Sequence, residues 1–323
     1  MFSLDDLHAA RRLISRYMPG TPQFAWPLLA QRLGVETIVK HENHTPAGAF
    51  KIRGGLVYMD QLKRQRPGVK GVVSATRGNH GQSIAFAGRA FGVSVTIVVP
   101  VGNSREKNAA MRALGAELIE HGSDFDAARV FARDLAAARG LEMVPSFHPA
   151  LVTGVATYAL ELFEAFGALD CLYAPIGLGS GICGLIRTRD LLGLKTRIIG
   201  VVSENAQAYA LSYAAGRVVE TNSARTFADG MAVRIPDAGA LDIILKGAER
   251  IALVSDDEIA DAIRILHEDT HNMAEGAGAA ALAALIKDRA LLQGKQAAVI
   301  LSGGNIDRSH AATALTGGTP KAA

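Results

Sequence analysis

Short apolar runs alternate with helical patterns along most of the 323-residue chain. In the first half the apolar runs are rich in β-branched residues, which is typical of buried strands, and each is followed by a stretch with helical spacing. The pattern predicts strands at 71–76 and 94–100, helices at 79–91, 104–114 and 124–139, and two further strands in ELIEH and EMVPS. Such β-α-β-α-β-α-β alternation indicates a parallel sheet with helices on both faces.

The second half repeats this alternation. Strands are predicted at 171–176, 197–202 and 296–301, and helices are predicted from Gly181 toward Leu192, at 255–270 and at 276–290. Two α/β units in one chain predict a ligand site in the cleft between them.

Composition narrows the class of protein. Hydrophobic residues make up 49% of the chain, charged residues make up 20%, and the formal net charge is only +3. Acids and bases are interspersed, so no nucleic-acid-binding surface is expected. Cys171 and Cys183 lie in apolar surroundings and are expected to be buried thiols. Because the sequence contains neither a signal peptide nor an apolar run of membrane-spanning length, we expect a cytoplasmic protein that does not bind membranes.

A single lysine stands among small residues in HTPAGAFKIRGG (44–55). Gly48, Gly54 and Gly55 leave space around Lys51, as a covalent bond to a large flat group would require. The functional interpretation is a Schiff-base lysine activated by partial burial and by nearby positive charge from Arg53. The alternative is an ordinary loop lysine near the start of a helix.

A glycine-rich turn, GLGSG (177–181), joins a predicted strand to a predicted helix. Its backbone N–H groups and the helix N-terminus suit a phosphate. No Gly-Lys-Ser/Thr follows, which excludes a Walker loop. Glu204, just after the next strand, stands where a dinucleotide site has its acid, so an NAD-binding oxidoreductase remains open.

The segment HEDTH (267–271) matches the zinc-protease pattern H-E-x-x-H. No third histidine follows at the usual interval, where Ala277 stands instead, and the α/β pattern is unlike that of such proteases. We therefore interpret HEDTH as a solvated helix face and predict no metal site. A non-catalytic metal-binding or scaffolding protein is the alternative that this motif leaves open.

Seven motifs together resemble the fold-type II pyridoxal-phosphate enzymes, in the threonine dehydratase/serine racemase branch. They occur in the family's order: HENHTPAGAFKIRGG (41–55), SATRGNHGQSIA (74–85), SVTIVVP with GAELI downstream, PIGLGSGICG (175–184), TFADG (226–230), AEGAGAAALAA (274–284) and LSGGNID (301–307). The resemblance implies two parallel-sheet three-layer α/β domains with the cofactor in the cleft between them. The large cofactor-binding domain would comprise 1–52 plus 149–323, and the small substrate-loop domain would comprise 53–148.

The resemblance also implies roles for individual residues. Lys51 would form the Schiff base with pyridoxal 5'-phosphate, and Phe50 would flank the cofactor ring. Asn79 would hydrogen-bond the phenolic oxygen, and Ser302 would face the pyridine nitrogen. The phosphate would be wrapped by Gly177, Leu178, Gly179, Ser180 and Gly181. The substrate carboxylate would bind the loop formed by Thr76, Arg77, Gly78, Asn79 and His80. The implied activity is a dehydratase (ammonia-lyase) that converts a β-hydroxy amino acid of the threonine or serine type, or 3-hydroxyaspartate or phenylserine, to a 2-oxo acid and ammonia.

Three features depart from the family pattern. Arg77 stands where racemases have a catalytic serine, and a permanently protonated guanidinium is a poor base, so a racemase is the second choice. Val202, Ala206 and Ala208 align with the family's cation site and offer no carboxylate, although Glu204 is close by in the sequence. We expect no regulatory domain of the kind found in biosynthetic threonine dehydratases after SGGNID. We expect a small-molecule amino-acid substrate and a homo-oligomer, either a dimer or a tetramer.

Overall fold

A computed structural model describes residues 1–167 and 169–322. Its contacts group the chain into two compact units: residues 1–19 with 45–155, and residues 20–44 with 156 onward. The sequence prediction divides the chain at 52/53 and 148/149 instead. Residues 1–19 join the first unit because helix α1 (Leu4–Ile14) packs on α3 (Lys51–Gln65) and α7 (Pro149–Val155).

The first unit is built on a four-stranded sheet whose strand pairings are parallel. The spatial order is β5-β4-β3-β6, with β3 (Gly71–Ala75), β4 (Ser94–Val99), β5 (Glu117–Glu120) and β6 (Glu142–Met143). The predicted parallel α/β architecture is thus confirmed, and β3 is buried along its whole length, including Ser74.

Helices connect these strands, and local sequence signals set their ends. They are α4 (Asn79–Phe91), α5 (Arg105–Ala113) and α6 (Phe125–Arg139). The Ser104 side chain accepts a hydrogen bond from the N–H of Lys107 and thereby caps α5. Gly92 and Gly140 end α4 and α6 in the left-handed conformation that favours glycine.

The second unit is built on a six-stranded sheet of order β1-β2-β10-β7-β8-β9. Among its described strands, β1 and β2 pair antiparallel and the others pair in parallel. The strands are β1 (Gln23–Ala25), β2 (Glu36–His41), β7 (Cys171–Pro175), β8 (Arg197–Ser203), β9 (Arg250–Val254) and β10 (Gln296–Leu301). The predicted strands β7, β8 and β10 are therefore confirmed, and β10 lies between β2 and β7.

The helices of this unit are α2 (Pro27–Leu33), α8 (Thr157–Phe166), α9 (Ser180–Leu191), α10 (Ala208–Ala215), α11 (Ala238–Gly247), α12 (Asp256–Thr270), α13 (Gly276–Asp288) and α14 (Arg308–Leu315). Short 3-10 turns lie at Asp229–Met231 and Arg289–Leu292. Helix α13 packs on β7 and β10 and is buried over most of its length. None of the described helices has the combination of length and apolar character needed to cross a membrane.

Candidate active site

Lys51 is the first residue of α3, at the end of the loop of residues 42–50 that follows β2. Its Nζ lies 4.8 Å from the centroid of the Phe50 ring, which is a cation–π distance. Its backbone carbonyl accepts a hydrogen bond from Ser83 Oγ at 2.5 Å, which connects α3 to α4. Arg53, the charge predicted to activate Lys51, is fully buried in α3.

Gly54 and Gly55, which the sequence suggests make space for a cofactor ring, serve helix packing instead. A Cβ at Gly54 would lie 2.7 Å from the carbonyl oxygen of Leu151 in α7. A Cβ at Gly55 would collide with Ser83 Oγ and lie 2.8 Å from the Ser83 carbonyl oxygen in α4. The small residues therefore let α3 approach α4 and α7 closely, and the sequence interpretation of these two glycines is wrong.

The predicted substrate loop connects β3 to α4 in the same unit as Lys51. Thr76 is buried, and its Oγ1 accepts a hydrogen bond from the N–H of Gly78 at 3.1 Å. Gly78 precedes α4, and none of the described side chains caps the helix there. The first N–H groups of α4, beginning with Asn79 and His80, are therefore suited to binding an anion.

His80 brings a neutral imidazole to this loop. Its Nε2 is buried and has no hydrogen-bond partner in the part of the chain that the structure describes. Burial, with a smaller effect from the charge of Lys51, lowers the pKa of His80 from 6.5 to about 3. The ring is therefore uncharged at neutral pH, and its buried nitrogen could contact a bound ligand.

The predicted phosphate loop lies in the second unit, between β7 and α9. Gly179 has φ of +99° and precedes α9, to which the described residues contribute no side-chain cap. Ser180 is buried as the first residue of that helix. The loop thus presents backbone N–H groups at a helix N-terminus, as phosphate binding requires.

Two tyrosines that cannot be identified from the motifs hold this loop in place. Tyr209 donates its hydroxyl to the carbonyl of Leu178 at 3.0 Å, and Tyr158 donates to the carbonyl of Gly181 at 3.1 Å. Because the C=O and N–H of a trans peptide point in opposite directions, anchoring the Leu178 carbonyl aims the N–H of Gly179 away from Tyr209. A buried tyrosine hydroxyl needs a partner, but its sequence position does not reveal which carbonyl that is.

The other glycine-rich motifs of the second unit pack around this loop. A Cβ at Gly177 would collide with the carbonyl oxygen of Gly230, and a Cβ at Gly230 would lie 2.9 Å from Cβ of Ala277. A Cβ at Gly278 would collide with the carbonyl oxygen of Gly303, which follows the buried Ser302. The motifs TFADG, AEGAG and SGGN therefore meet in the folded unit.

Each unit, taken by itself, has features that suit pyridoxal phosphate, the group that the resemblance implies. The first unit has a lysine beside an aromatic ring and a helix N-terminus suited to an anion. The second unit has a glycine loop suited to phosphate and a buried serine just after β10. The described residues include no group of three or more His, Cys, Asp or Glu side chains placed to hold a metal ion.

Glu204 and HEDTH, the residues behind the rival interpretations, have other partners. Glu204 lies 3.9 Å from Nζ of Lys287. Glu268 and Asp269 both bond Arg32, and His271 is outside α12, with φ of +53° at its C-terminal cap. His267 and His271 therefore do not share one helical face, contrary to what H-E-x-x-H requires.

The chain is similar to proteins of known activity. The family model described as "Pyridoxal-phosphate dependent enzyme" matches residues 14–303. L-threonine ammonia-lyase of Thermotoga maritima is 33% identical over 95% of this chain and 76% of its own length. L-threo-3-hydroxyaspartate ammonia-lyase of Saccharomyces cerevisiae is 32% identical over 97% of this chain and 96% of its own. The solved structure of the processed form of threonine deaminase isoform 2 from Solanum lycopersicum superposes with a TM-score of 0.87 at 29% identity, covering 95% of this chain and 92% of that one.

These matches decide between the two cofactors that the glycine loop left open, in favour of pyridoxal phosphate over NAD. With the order of the motifs and the parallel α/β architecture, they show that the chain belongs to the fold-type II pyridoxal-phosphate-dependent enzymes, in the threonine dehydratase/serine racemase family.

Proposed function

We propose that this lyase acts on a β-hydroxy amino acid, releasing a 2-oxo acid and ammonia, and that Lys51 is its catalytic residue. The observation that carries the proposal is the position of Lys51. Its amine lies over the Phe50 ring at the start of α3, in the same unit as the anion-ready start of α4. The Thermotoga and yeast relatives are named for this class of reaction.

The phosphate of the cofactor would be held by residues 177–181. The N–H groups at the start of α9 and the Ser180 hydroxyl would donate to it, and the hydrogen bonds from Tyr158 and Tyr209 keep the loop in shape. Phe50 would lie beside the ring, Asn79 would donate to its phenolic oxygen, and Ser302 would face its nitrogen. A serine leaves the pyridine nitrogen unprotonated more readily than an aspartate would, which favours prompt elimination over transamination.

The substrate carboxylate would bind the N–H groups that begin α4, between Thr76 and His80. When bound, pyridoxal phosphate supplies an electron sink for the negative charge that develops at the substrate Cα. Nζ of Lys51 would remove the Cα proton. The Cβ–O bond would then break as the Cα=Cβ bond forms, and the hydroxyl would leave as water, its added proton balanced by the one that Lys51 took from Cα. The enamine released from the site hydrolyses to the 2-oxo acid and ammonia.

Racemisation is the second candidate activity, and Arg77 argues against it. A racemase needs a base on the face of the substrate opposite the lysine. A guanidinium stays protonated in proteins and cannot accept that proton. We further propose that the enzyme is a cytoplasmic homo-oligomer.

The test is Lys51→Ala. We expect the variant to stay folded, because Lys51 is only half-buried and little packing is lost. It should lose multiple-turnover release of 2-oxo acid from threonine, serine and 3-hydroxyaspartate. Borohydride reduction of the wild-type holoenzyme followed by peptide mass mapping should place the cofactor on Lys51. The exposed Lys70 provides a matched control, and Lys70→Ala should behave as wild type. Normal turnover in Lys51→Ala, or trapping at a different lysine, would refute the assignment.

A further inference from the structure

The loop that begins α4 carries more positive charge than one substrate carboxylate requires. Arg77 is half-buried, and its side chain makes no hydrogen bond or ion pair within residues 1–167 and 169–322. The segment from residue 61 to 105 contains seven lysine or arginine residues and no aspartate or glutamate, so neighbouring sequence offers Arg77 no acid. A half-buried guanidinium without an anion is unfavourable unless a ligand supplies one.

A second cation reaches the same loop from α5. Lys107 is only 7% exposed, and its aliphatic chain lies against Gly78. A Cβ at Gly78 would be 2.7 Å from Cδ of Lys107 and 3.6 Å from its Nζ. Any side chain at position 78 would therefore displace Lys107, and glycine at this position keeps the ammonium beside the start of α4.

Helix α5 holds Lys107 in this position. The backbone N–H of Lys107 donates to Ser104 Oγ at 3.1 Å, which fixes the first turn of the helix. A buried lysine loses most of its conformational freedom on folding, so its placement needs such an anchor. Arg77 and Lys107 are thus both neighbours of Gly78, one in sequence and the other in space, and both lie in the unit that contains Lys51.

We propose that Arg77 and Lys107 recognise a second carboxylate, so that the substrate class is the 3-hydroxy dicarboxylic amino acids, with 3-hydroxyaspartate as the simplest member. The inference rests on the proposed function. The backbone N–H groups at the start of α4 bind the α-carboxylate, and the two cationic side chains bind the β-carboxylate. Arginine presents a planar fork that matches a carboxylate with two hydrogen bonds, whereas the methyl group of threonine offers it nothing.

The test separates recognition from catalysis by using amino acids without a leaving group. Aspartate has the second carboxylate but no β-hydroxyl, and 2-aminobutyrate is the corresponding analogue of threonine. Each is titrated into the wild-type holoenzyme, with binding followed calorimetrically. We expect aspartate to bind at least about tenfold more tightly than 2-aminobutyrate, and its affinity to fall more steeply with added salt.

Arg77→Met should weaken aspartate binding by roughly ten- to a hundredfold, the range for a charge-assisted hydrogen bond, and leave 2-aminobutyrate nearly unchanged. Arg77→Lys should lose part of this affinity, because the charge stays and the fork is lost. Lys107→Met should weaken aspartate selectively, provided that circular dichroism shows a folded protein. Arg89→Met, which removes one exposed charge from α4, should change neither ligand and is the matched control.

Turnover completes the experiment. At least one of the threo and erythro isomers of 3-hydroxyaspartate should have a higher kcat/KM than threonine. Arg77→Met should reverse that preference. Equal loss of aspartate and 2-aminobutyrate binding in Arg77→Met, or equal affinity of the wild type for both, would overturn the inference. Turnover of threonine with none of 3-hydroxyaspartate would also overturn it and leave the proposed function intact. If the wild type releases ammonia from none of the β-hydroxy amino acids tested, the proposed function itself is refuted.

Discussion

His41 is a buried titratable residue outside the proposed chemistry. It is 1% exposed at the end of β2, and its Nε2 accepts a hydrogen bond from the indole N–H of Trp26 at 2.9 Å. Burial, helped by His44 and Lys40, lowers the pKa of His41 from 6.5 to about 4. Protonation would destroy the acceptor that Trp26 needs, so the folded protein keeps the ring neutral.

This pKa shift predicts acid sensitivity. Because unfolded His41 takes up its proton near pH 6.5 and folded His41 only near pH 4, stability falls as the pH drops from 7 toward 4. By about pH 5 this loss of folding free energy from His41 amounts to about 1–2 kcal/mol. His41→Gln keeps an acceptor for Trp26 and cannot titrate. Its melting temperature should therefore fall less than that of the wild type between about pH 7.5 and pH 5.

The control for this prediction is His267→Gln, since His267 is exposed on α12. That variant should follow the wild-type dependence of melting temperature on pH. If the melting temperature of His41→Gln shows the same dependence on pH as the wild type, burial of His41 does not contribute to acid sensitivity.

Helices α3 and α4 pack so closely that one added methyl group between them should destabilise the protein. Gly55 lies against Ser83, and Ser83 Oγ donates to the carbonyl of Lys51. Gly55→Ala should force the helices apart and lower the free energy of unfolding by about 1–3 kcal/mol, the usual cost of overpacking. Urea unfolding of the holoenzyme measures this change, and amide hydrogen exchange should show faster exchange in both helices.

Gly68 offers the matched comparison, because a Cβ at that position meets none of the described atoms within 4 Å. Gly68→Ala should leave stability unchanged or raise it by about 0.4–1 kcal/mol, through a less flexible unfolded chain. Equal stability of the two variants would mean that α3 and α4 adjust to the added methyl group at no cost.

Some elements can be predicted from the sequence and others cannot, for identifiable reasons. Strands β3, β4 and β10 are mostly apolar and mostly buried, the expected pattern when both faces of a parallel sheet are covered. Strand β2 escapes sequence prediction because it contains Lys40, which is fully buried and pairs with Glu161 at 2.6 Å. In the sequence a buried lysine cannot be distinguished from the polar residue of a loop, and the residue that pairs with Lys40 is 121 positions away.

The candidate site divides in the same way across the whole molecule. Lys51 and the glycine loop stand in motifs that can be recognised within a few residues. Lys107 cannot be identified from a local motif, because only the folded chain brings it to Gly78 from a different helix. The purpose of Gly54 and Gly55 is also hidden from the sequence, since the atoms they make room for belong to α7 and α4. Local motifs thus indicate the chemistry, while tertiary contacts decide which neighbours tune it.

The position of β10 predicts how the second unit depends on the C-terminal part of the chain. Its residues pair with β2 on one side, as Gln296 with Glu36, and with β7 on the other, as Ala297 with Cys171. A chain ending at Asp288 should therefore lose the unit of residues 20–44 and 156–288 to proteolysis and keep residues 45–155 protected. A chain ending at Thr316, just after α14, is the control and should be protected throughout. Protection of β2 and β7 in the shorter chain would contradict this dependence.

During synthesis the same arrangement imposes an order of events. Residues 20–44 leave the ribosome early, yet the strand that joins them to the rest of their sheet is made almost last. The first unit, whose strands are close in sequence, can fold before β2 pairs with β10, because local contacts form fastest. For most of translation the apolar residues of β2 thus stay exposed, and nascent-chain chaperones have a defined segment to shield until Leu301 emerges.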